Sequence, residues 1–299
     1  MNLFDRAWRI QVGGVLVSQR DRDTRAGLDC AFKITRSLAS SRAGTCELTI
    51  FNPPREMLRE LVSLPRRTTP VSVAAGYRDG ASRLFVGDLH LALPAREGTD
   101  LSVTITAGDG AHARRAARIS RAFAPGTSVD QAAQALAAAL GVGVGNAARA
   151  FRGTRLASAT GEWSDGVILH GGAAEELTRL CDAAGLIWSV QDGQLLVLPL
   201  GGALERTAIR LGADSGLLGA PQIVDRRTIK AKCLIQPGLV PGQRVVIDSL
   251  LVREPVQRIT EVSFTGETGG AAWEAELTLK RPQPQLLDRS APGVTAQNE

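Results

Sequence analysis

Apolar and polar residues alternate through most of the first hundred positions, the period-two signature of half-buried β-strands. Residues 8–17 alternate through Ile10, Val12 and Val15, with Gly13-Gly14 interrupting them as a bulge or turn would. Strands are predicted next at 28–34 and 45–51, separated by the turn-rich SLASSRAG. Asn52-Pro53-Pro54 ends the second, because proline cannot donate to a sheet ladder. The period then lengthens, and Met57, Leu58, Leu61 and Leu64 share one face of a short helix over 56–64. Three more strands are predicted at 71–77, 83–93 and 101–107, the first two joined by the turn Arg78-Asp79-Gly80. Many short strands and one helix predict a small, strongly bent sheet or barrel.

The middle of the chain changes period. Ser128 to Gln131 spells the S-x-x-Q capping box, and Val129, Ala132, Ala133, Leu136 and Leu140 line one helical face ending at Gly141. A second helix is predicted over 173–184, with Leu177, Leu180, Cys181 and Ala184 inward and Gly185 as its stop. LIWSVQDGQLLVLPL follows as a hairpin in which Asp192-Gly193 suits a type I′ turn. Between the helices, residues 141–166 are rich in Gly and Ala and read as an irregular surface excursion.

From about position 201 strands return, at 207–211, 227–235, 244–249, 256–264 and 272–279. Strands near Val245, Gln257 and Glu274 repeat the spacing of those near Val71, Phe85 and Val103. The predicted fold class is therefore α+β, mainly β: two small related β-barrel domains with an α+β domain inserted between them. The boundaries are 1–112, 113–200 and 201–285, with 286–299 an aperiodic tail expected to be mobile.

Composition narrows the function classes. At 299 residues, 44% apolar and 22% charged, the chain can bury one large core or two to three modest ones and is not a disordered sequence. No run approaches the roughly 20 apolar residues of a membrane span. Asp5 and Arg6 fall where a signal peptide needs its apolar region. The net charge of +5 is almost all arginine, since Lys33, Lys230, Lys232 and Lys280 are the only lysines. That balance points to genome composition rather than a nucleic-acid surface. HARRAARISR, residues 112–121, has no interleaved aromatics for base stacking and reads as a solvated or subunit-contacting face. Cys30, Cys46, Cys181 and Cys233 are scattered, without a CxxC, and read as buried reduced thiols.

Candidate chemistry is sparse. Asp88, Asp109 and Asp192 all sit in turn-forming contexts. His90 shares a strand face with Asp88, while His112 and His170 have neighbours that define no common site. A Ser/His/Asp hydrolase would need a G-x-S-x-G elbow, and the chain has none. GVGVGNAARA, residues 141–150, follows a helix rather than a strand and lacks an acidic residue some 20 positions on, so it is not a dinucleotide loop. No catalytic, cofactor-binding or metal-ligating residue is assigned, and no cofactor is expected.

What stands out instead is a chemically blank corner, CLIQPGLVPGQRVVIDS, residues 233–249. Its two Pro-Gly steps, Pro237-Gly238 and Pro241-Gly242, stop one strand and re-aim the next. With SGLLGAP before it and VQRITEVSFTGETGGAAWEAELTLKRP after it, this region resembles the baseplate hub proteins of contractile phage tails and related injection machines. Gly216, Gly219, Pro221, Pro241, Gly242 and Trp273 match that family's turn-and-strand motifs. Phe264 and Glu267 depart from it, standing where a histidine and an aspartate belong. Trp8-Arg9-Ile10, Phe51-Asn52, AAGY and LFVGDL are similar to the first barrel of the same family.

The resemblance implies a structural subunit and not an enzyme: a homotrimer whose two tube-like barrels per chain make a pseudo-hexameric ring. Such a ring adapts a sixfold tail tube to a threefold central spike and leaves a channel for DNA in transit. Implied partners are the tail tube, central spike, tape-measure and surrounding baseplate wedge proteins. The implied location is the virion tail baseplate, assembled in the bacterial host cytoplasm. The alternative function is a tail-associated cell-wall hydrolase.

Overall fold

Alternating side chains give each strand one apolar face, and burying those faces together assembles the strands into one long sheet. The computed structural model describes residues 5–21, 24–39, 43–77, 80–109, 116–236, 238–249 and 256–281. Pro237, His112, Arg78, Asp79 and the predicted tail 286–299 lie outside the described residues.

The first part of the chain supplies β1 (Arg6–Val12), β2 (Val15–Arg20), β3 (Arg25–Gly27), β4 (Cys30–Ser37) and β5 (Thr45–Phe51). Helix α1 (Arg55–Ser63) then leads to β6 (Pro70–Tyr77), β7 (Gly80–Glu97) and β8 (Asp100–Gly108). The middle supplies β9 (Arg118–Phe123), α2 (Val129–Leu140), α3 (Ala147–Phe151), β10 (Val167–Gly172), α4 (Ala173–Ala184), β11 (Leu186–Gln191) and β12 (Gln194–Pro199). The last part supplies β13 (Ile209–Leu211), β14 (Leu217–Ile223), β15 (Thr228–Leu234), β16 (Arg244–Ile247), β17 (Gln257–Glu267) and β18 (Trp273–Lys280).

Fourteen strands from the first and last parts form one sheet, in the order β14-β15-β18-β17-β4-β5-β8-β7-β6-β1-β2-β3, with β16 joining β17 to β13. Five strands repeat within it. The order β4-β5-β8-β7-β6 recurs as β14-β15-β18-β17-β16, in the same chain sequence and with every pair antiparallel. One irregularity coincides as well: β7 shifts register between Leu89 and Leu91 against β8, and β17 between Ile259 and Glu261 against β18. A β-bulge inserts one residue and bends the strand, so both copies turn at the same place.

The molecule is mainly β with few helices, as the alternation predicts. Closed barrels are not what the hydrogen bonds make. Beyond its bulge β17 takes β4 as its outer neighbour, from Glu261↔Ser37 to Glu267↔Ala31. The ladder therefore runs on from one half to the other, and β3, β13 and β14 remain as ends among the described strands. Both halves share one core, which runs from Trp8 and Ile34 through Val103 to Cys233, Val262 and Leu277.

The middle part buries a second core of its own, including Val129, Leu136, Phe151, Trp163, Leu180 and Trp188. Its helix ends follow the local code. Ser128 accepts from the Asp130 N–H at 3.2 Å, and Gly141 and Gly185 both adopt left-handed C-cap conformations. Asp192 and Gly193 both have positive φ, as a type I′ hairpin turn requires. The stretch 141–166 is less irregular than its composition predicts, because it holds α3 and stacks Phe151 against Trp163 with ring centroids 5.8 Å apart. The β9–β10 pair was likewise hidden, its Arg- and Gly-rich strands showing no clean alternation.

Candidate functional site

Leu239 is buried in the large core, so the residue between the two Pro-Gly steps anchors the corner. Gly238 has φ of +85°, and its carbonyl accepts from the Val240 N–H at 2.8 Å, closing a tight turn. Pro241 is buried, and Gly242 follows at φ of +89° with both backbone groups engaged. The Gly242 N–H donates to Ile259 O on β17, and its carbonyl accepts from the Leu204 N–H, both at 2.8 Å. The corner thus clamps the segment that leaves the middle part against the sheet. Gln243 Nε2 donates to Thr207 O at 2.7 Å, Arg244 Nε to Leu204 O at 3.1 Å and Arg258 NH1 to Gly202 O at 2.5 Å, adding to the same clamp.

The remaining motif residues cluster on two features. Gly216, Gly219 and Pro221 shape edge strand β14: Gly216 precedes it at φ of +89°, Gly219 lies within its irregular stretch at +67°, and Pro221 is buried. Trp273 opens β18 at the junction of the two halves, its ring 5.9 Å from Trp8 and 5.7 Å from Phe32. Arg6 lies over the Trp273 ring at 5.2 Å and donates to Gly270 O and Ala271 O, both at 2.7 Å. Gly266, facing Phe32 in the ladder, completes this junction: a Cβ there would sit 2.2 Å from the Phe32 ring. Sequence reasoning passed over Gly266, although a glycine inside an alternating strand signals close approach of a neighbour.

A buried polar clasp was also missed. Arg36 on β4 is 3% exposed and reaches across to the β11–β12 turn. Its Nε donates to Gln191 Oε1 at 2.9 Å and its NH2 to Asp192 Oδ2 at 2.8 Å, while NH1 donates to Leu84 O at 3.0 Å. Gln191 Nε2 answers by donating to Ser37 O at 3.0 Å. Asp109 joins from the end of β8, where burial pushes its carboxyl up to about 6 against the pull of Arg36 and the Asp192 and Gly193 N–H groups. The clasp fixes the middle part on the sheet by charge and hydrogen bonds, and its members lie too far apart in sequence to reveal one another.

Little else is arranged for reaction. Burial raises the Asp88 carboxyl and nearby His90 lowers it, yet His90 occupies the β7 bulge rather than a pocket. Ser120 and His170 pair across β9 and β10 at 3.4 Å on an exposed face. The groove beside them, about 880 Å³, is lined by Phe123, Pro125, Val167 and Ile168, and its Arg179 is held by Glu176 at 2.6 Å and Ile168 O at 2.9 Å. Among the described residues no group of three or more His, Cys, Asp or Glu could hold a metal ion, and no helix is long and apolar enough to cross a membrane. All four cysteines are buried and unpaired, with burial pushing each thiol up to about 12. At neutral pH they are protonated and poor nucleophiles.

No protein-family model and no curated protein matches the chain. Its fold is shared with solved structures. The 43 kDa tail protein of prophage MuSo2 from Shewanella oneidensis matches 93% of this chain and 97% of its own, with a TM-score of 0.63 at 12% identity. A tail protein from Neisseria meningitidis MC58 covers the same shares at a TM-score of 0.59 and 13% identity. A type VI secretion system component of E. coli, described as structurally similar to bacteriophage T4 tail proteins, matches 92% of this chain and 77% of its own. Its TM-score is 0.56 at 13% identity.

Proposed function

We propose that this chain is the hub subunit of a contractile phage tail baseplate, a structural part that makes and breaks no bonds. Three copies would form a ring of six similar units, matching a sixfold tail tube on one side and a threefold spike on the other. Residues 1–112 and 201–285 are the two tube-like units in this reading, and 113–200 is an insertion facing surrounding wedge proteins. Tube, spike and tape-measure proteins are its other partners. DNA crosses the lumen in transit, and assembly takes place in the host cytoplasm before the subunit enters the virion.

The observation that carries this reading is the duplication inside one chain. The five-strand unit occurs twice, with a bulge shared by β7 and β17, on a fold shared end to end with phage tail proteins. Duplicated units are the economical solution to a symmetry mismatch, since three chains then present six near-equivalent surfaces. The face away from the core suits a wetted lumen: Lys230 meets Glu276 at 3.7 Å, Lys232 meets Glu274 at 3.3 Å, and Thr49 meets Thr104 at 3.3 Å. Mass photometry and negative-stain microscopy of the purified protein test it. Rings of three chains are expected; monomers at every concentration, with and without the spike, would overturn the proposal.

A further inference from the structure

The repeat tells how one unit joins the next, because the chain already contains one such junction. Beyond its bulge, β17 has β18 on one side and β4 on the other. Its counterpart β7 has β8 on one side beyond its own bulge, and no described strand on the other. The counterpart of β4 is β14, which pairs with β15 alone. Each chain therefore carries both halves of a second junction, unmated, at separate places on the sheet.

Register can be transferred through the repeat. Phe264 faces Ile34, Thr265 faces Lys33 and Ser263 faces Thr35. Counting from the two bulges, Phe264 corresponds to Pro94, Thr265 to Ala95 and Ser263 to Leu93. Counting through β5 and β15, Ile34 corresponds to Ile223 and Lys33 to Gln222. Exposure supports the correspondence. Ile34, covered by β17, is 0% exposed, whereas Ile223 is 66% exposed. Leu93 and Val224, which the transferred register sets opposite each other, are 54% and 56% exposed.

We infer that β7 of one copy, from Leu93 to Glu97, pairs antiparallel with the end of β14 of the next copy, setting Pro94 opposite Ile223 and Ala95 opposite Gln222. This interface rests on the ring-forming reading above and names its contacts. It is heterologous, joining two different edges, so successive copies do not stop at a twofold dimer and form a ring where the rotation between them closes. Pro94 has no N–H to donate, so the pairing forgoes one ladder hydrogen bond at that position and strands that need it are disfavoured.

Thiol cross-linking tests the register. The native cysteines are buried and stay silent. The double variant Ala95→Cys, Gln222→Cys, oxidised under native conditions, should give covalent dimers and trimers on non-reducing gels, while either single variant gives neither. The shifted pair Leu93→Cys, Gln222→Cys should cross-link at least tenfold less. Trimers by mass photometry without cross-links from the first pair, or with equal yield from both, would overturn this interface and leave the ring reading intact. Monomers alone would sink both. Ile223→Lys supplies a second reading, with an expected tenfold or greater loss of trimer affinity and an unchanged monomer melting temperature.

Discussion

Asp109 ends β8 with its carboxyl turned away from water, toward Arg36 and Asp192. Folding raises its pKa from the ordinary 3.8 to about 6, chiefly through lost hydration. A group raised in this way favours the folded state while protonated. Its contribution is complete below about pH 4 and is lost as pH rises through about 6, a swing on the order of 3 kcal/mol. Asp109→Asn keeps the acceptor for the Asp192 and Gly193 N–H groups and removes the ionisation. The variant should melt higher than the wild type at pH 7.5 and match it near pH 4.5. A lower melting temperature at pH 7.5 would show that the Arg36 attraction outweighs the desolvation. Gly242 supplies a second test at this scale. Its φ of +89° and the Leu198 methyl, 2.8 Å from where a Cβ would lie, oppose any side chain. Gly242→Ala should cost about 1–3 kcal/mol in urea unfolding, whereas a shift under 0.5 kcal/mol would mean the corner relaxes.

Elements whose cause is local were legible from sequence. The N-cap at Ser128, the stops at Gly141 and Gly185 and the Asp192-Gly193 turn all depend on neighbours a few residues away and stand where the pattern set them, although Ser128 caps through the Asp130 N–H rather than through the box with Gln131. The spacing echo was also legible, because the two units descend the chain in the same order. Pairing partners were not. Nothing in the alternation of β17 says that its second half will take β4 from 220 or more positions upstream instead of closing on its own unit. Strand β14 was invisible for another reason: Gly219, Ala220 and Pro221 interrupt its alternation where its register slips. The Arg36 clasp joins four distant segments and offers no local signal at all. Its strength can be measured. Arg36→Ala leaves Asp109 and Asp192 facing each other with their cation gone, and should cost about 3–5 kcal/mol. Adding Asp109→Asn and Asp192→Asn should recover a large part of that loss; a triple variant no better than Arg36→Ala would assign the cost to packing.

At the scale of the molecule, the two cores divide the chain unevenly. The large core draws on both β-rich parts, since Trp8, Phe32 and Trp273 meet across the β17–β4 junction and the ladder there continues unbroken. Cutting the chain between its parts would strip β4 of its outer neighbour and uncover Phe32, Ile34 and Trp8. Such an apolar edge is a template for aggregation. The middle part differs, for its helices and two strand pairs close around their own apolar residues, and the Arg36 clasp is a polar contact that water can replace. Residues 116–200 expressed alone should therefore unfold in one cooperative thermal transition, with Trp163 and Trp188 shielded from fluorescence quenchers beforehand. Residues 1–109 alone should lack a cooperative transition and self-associate. Mixing 1–109 with 201–281 should restore the β17–β4 ladder and raise the melting cooperativity of the pair. If 1–109 instead folds as a stable monomer, the two β-rich units are independent modules, and the shared core is a contact between them rather than a condition of their folding.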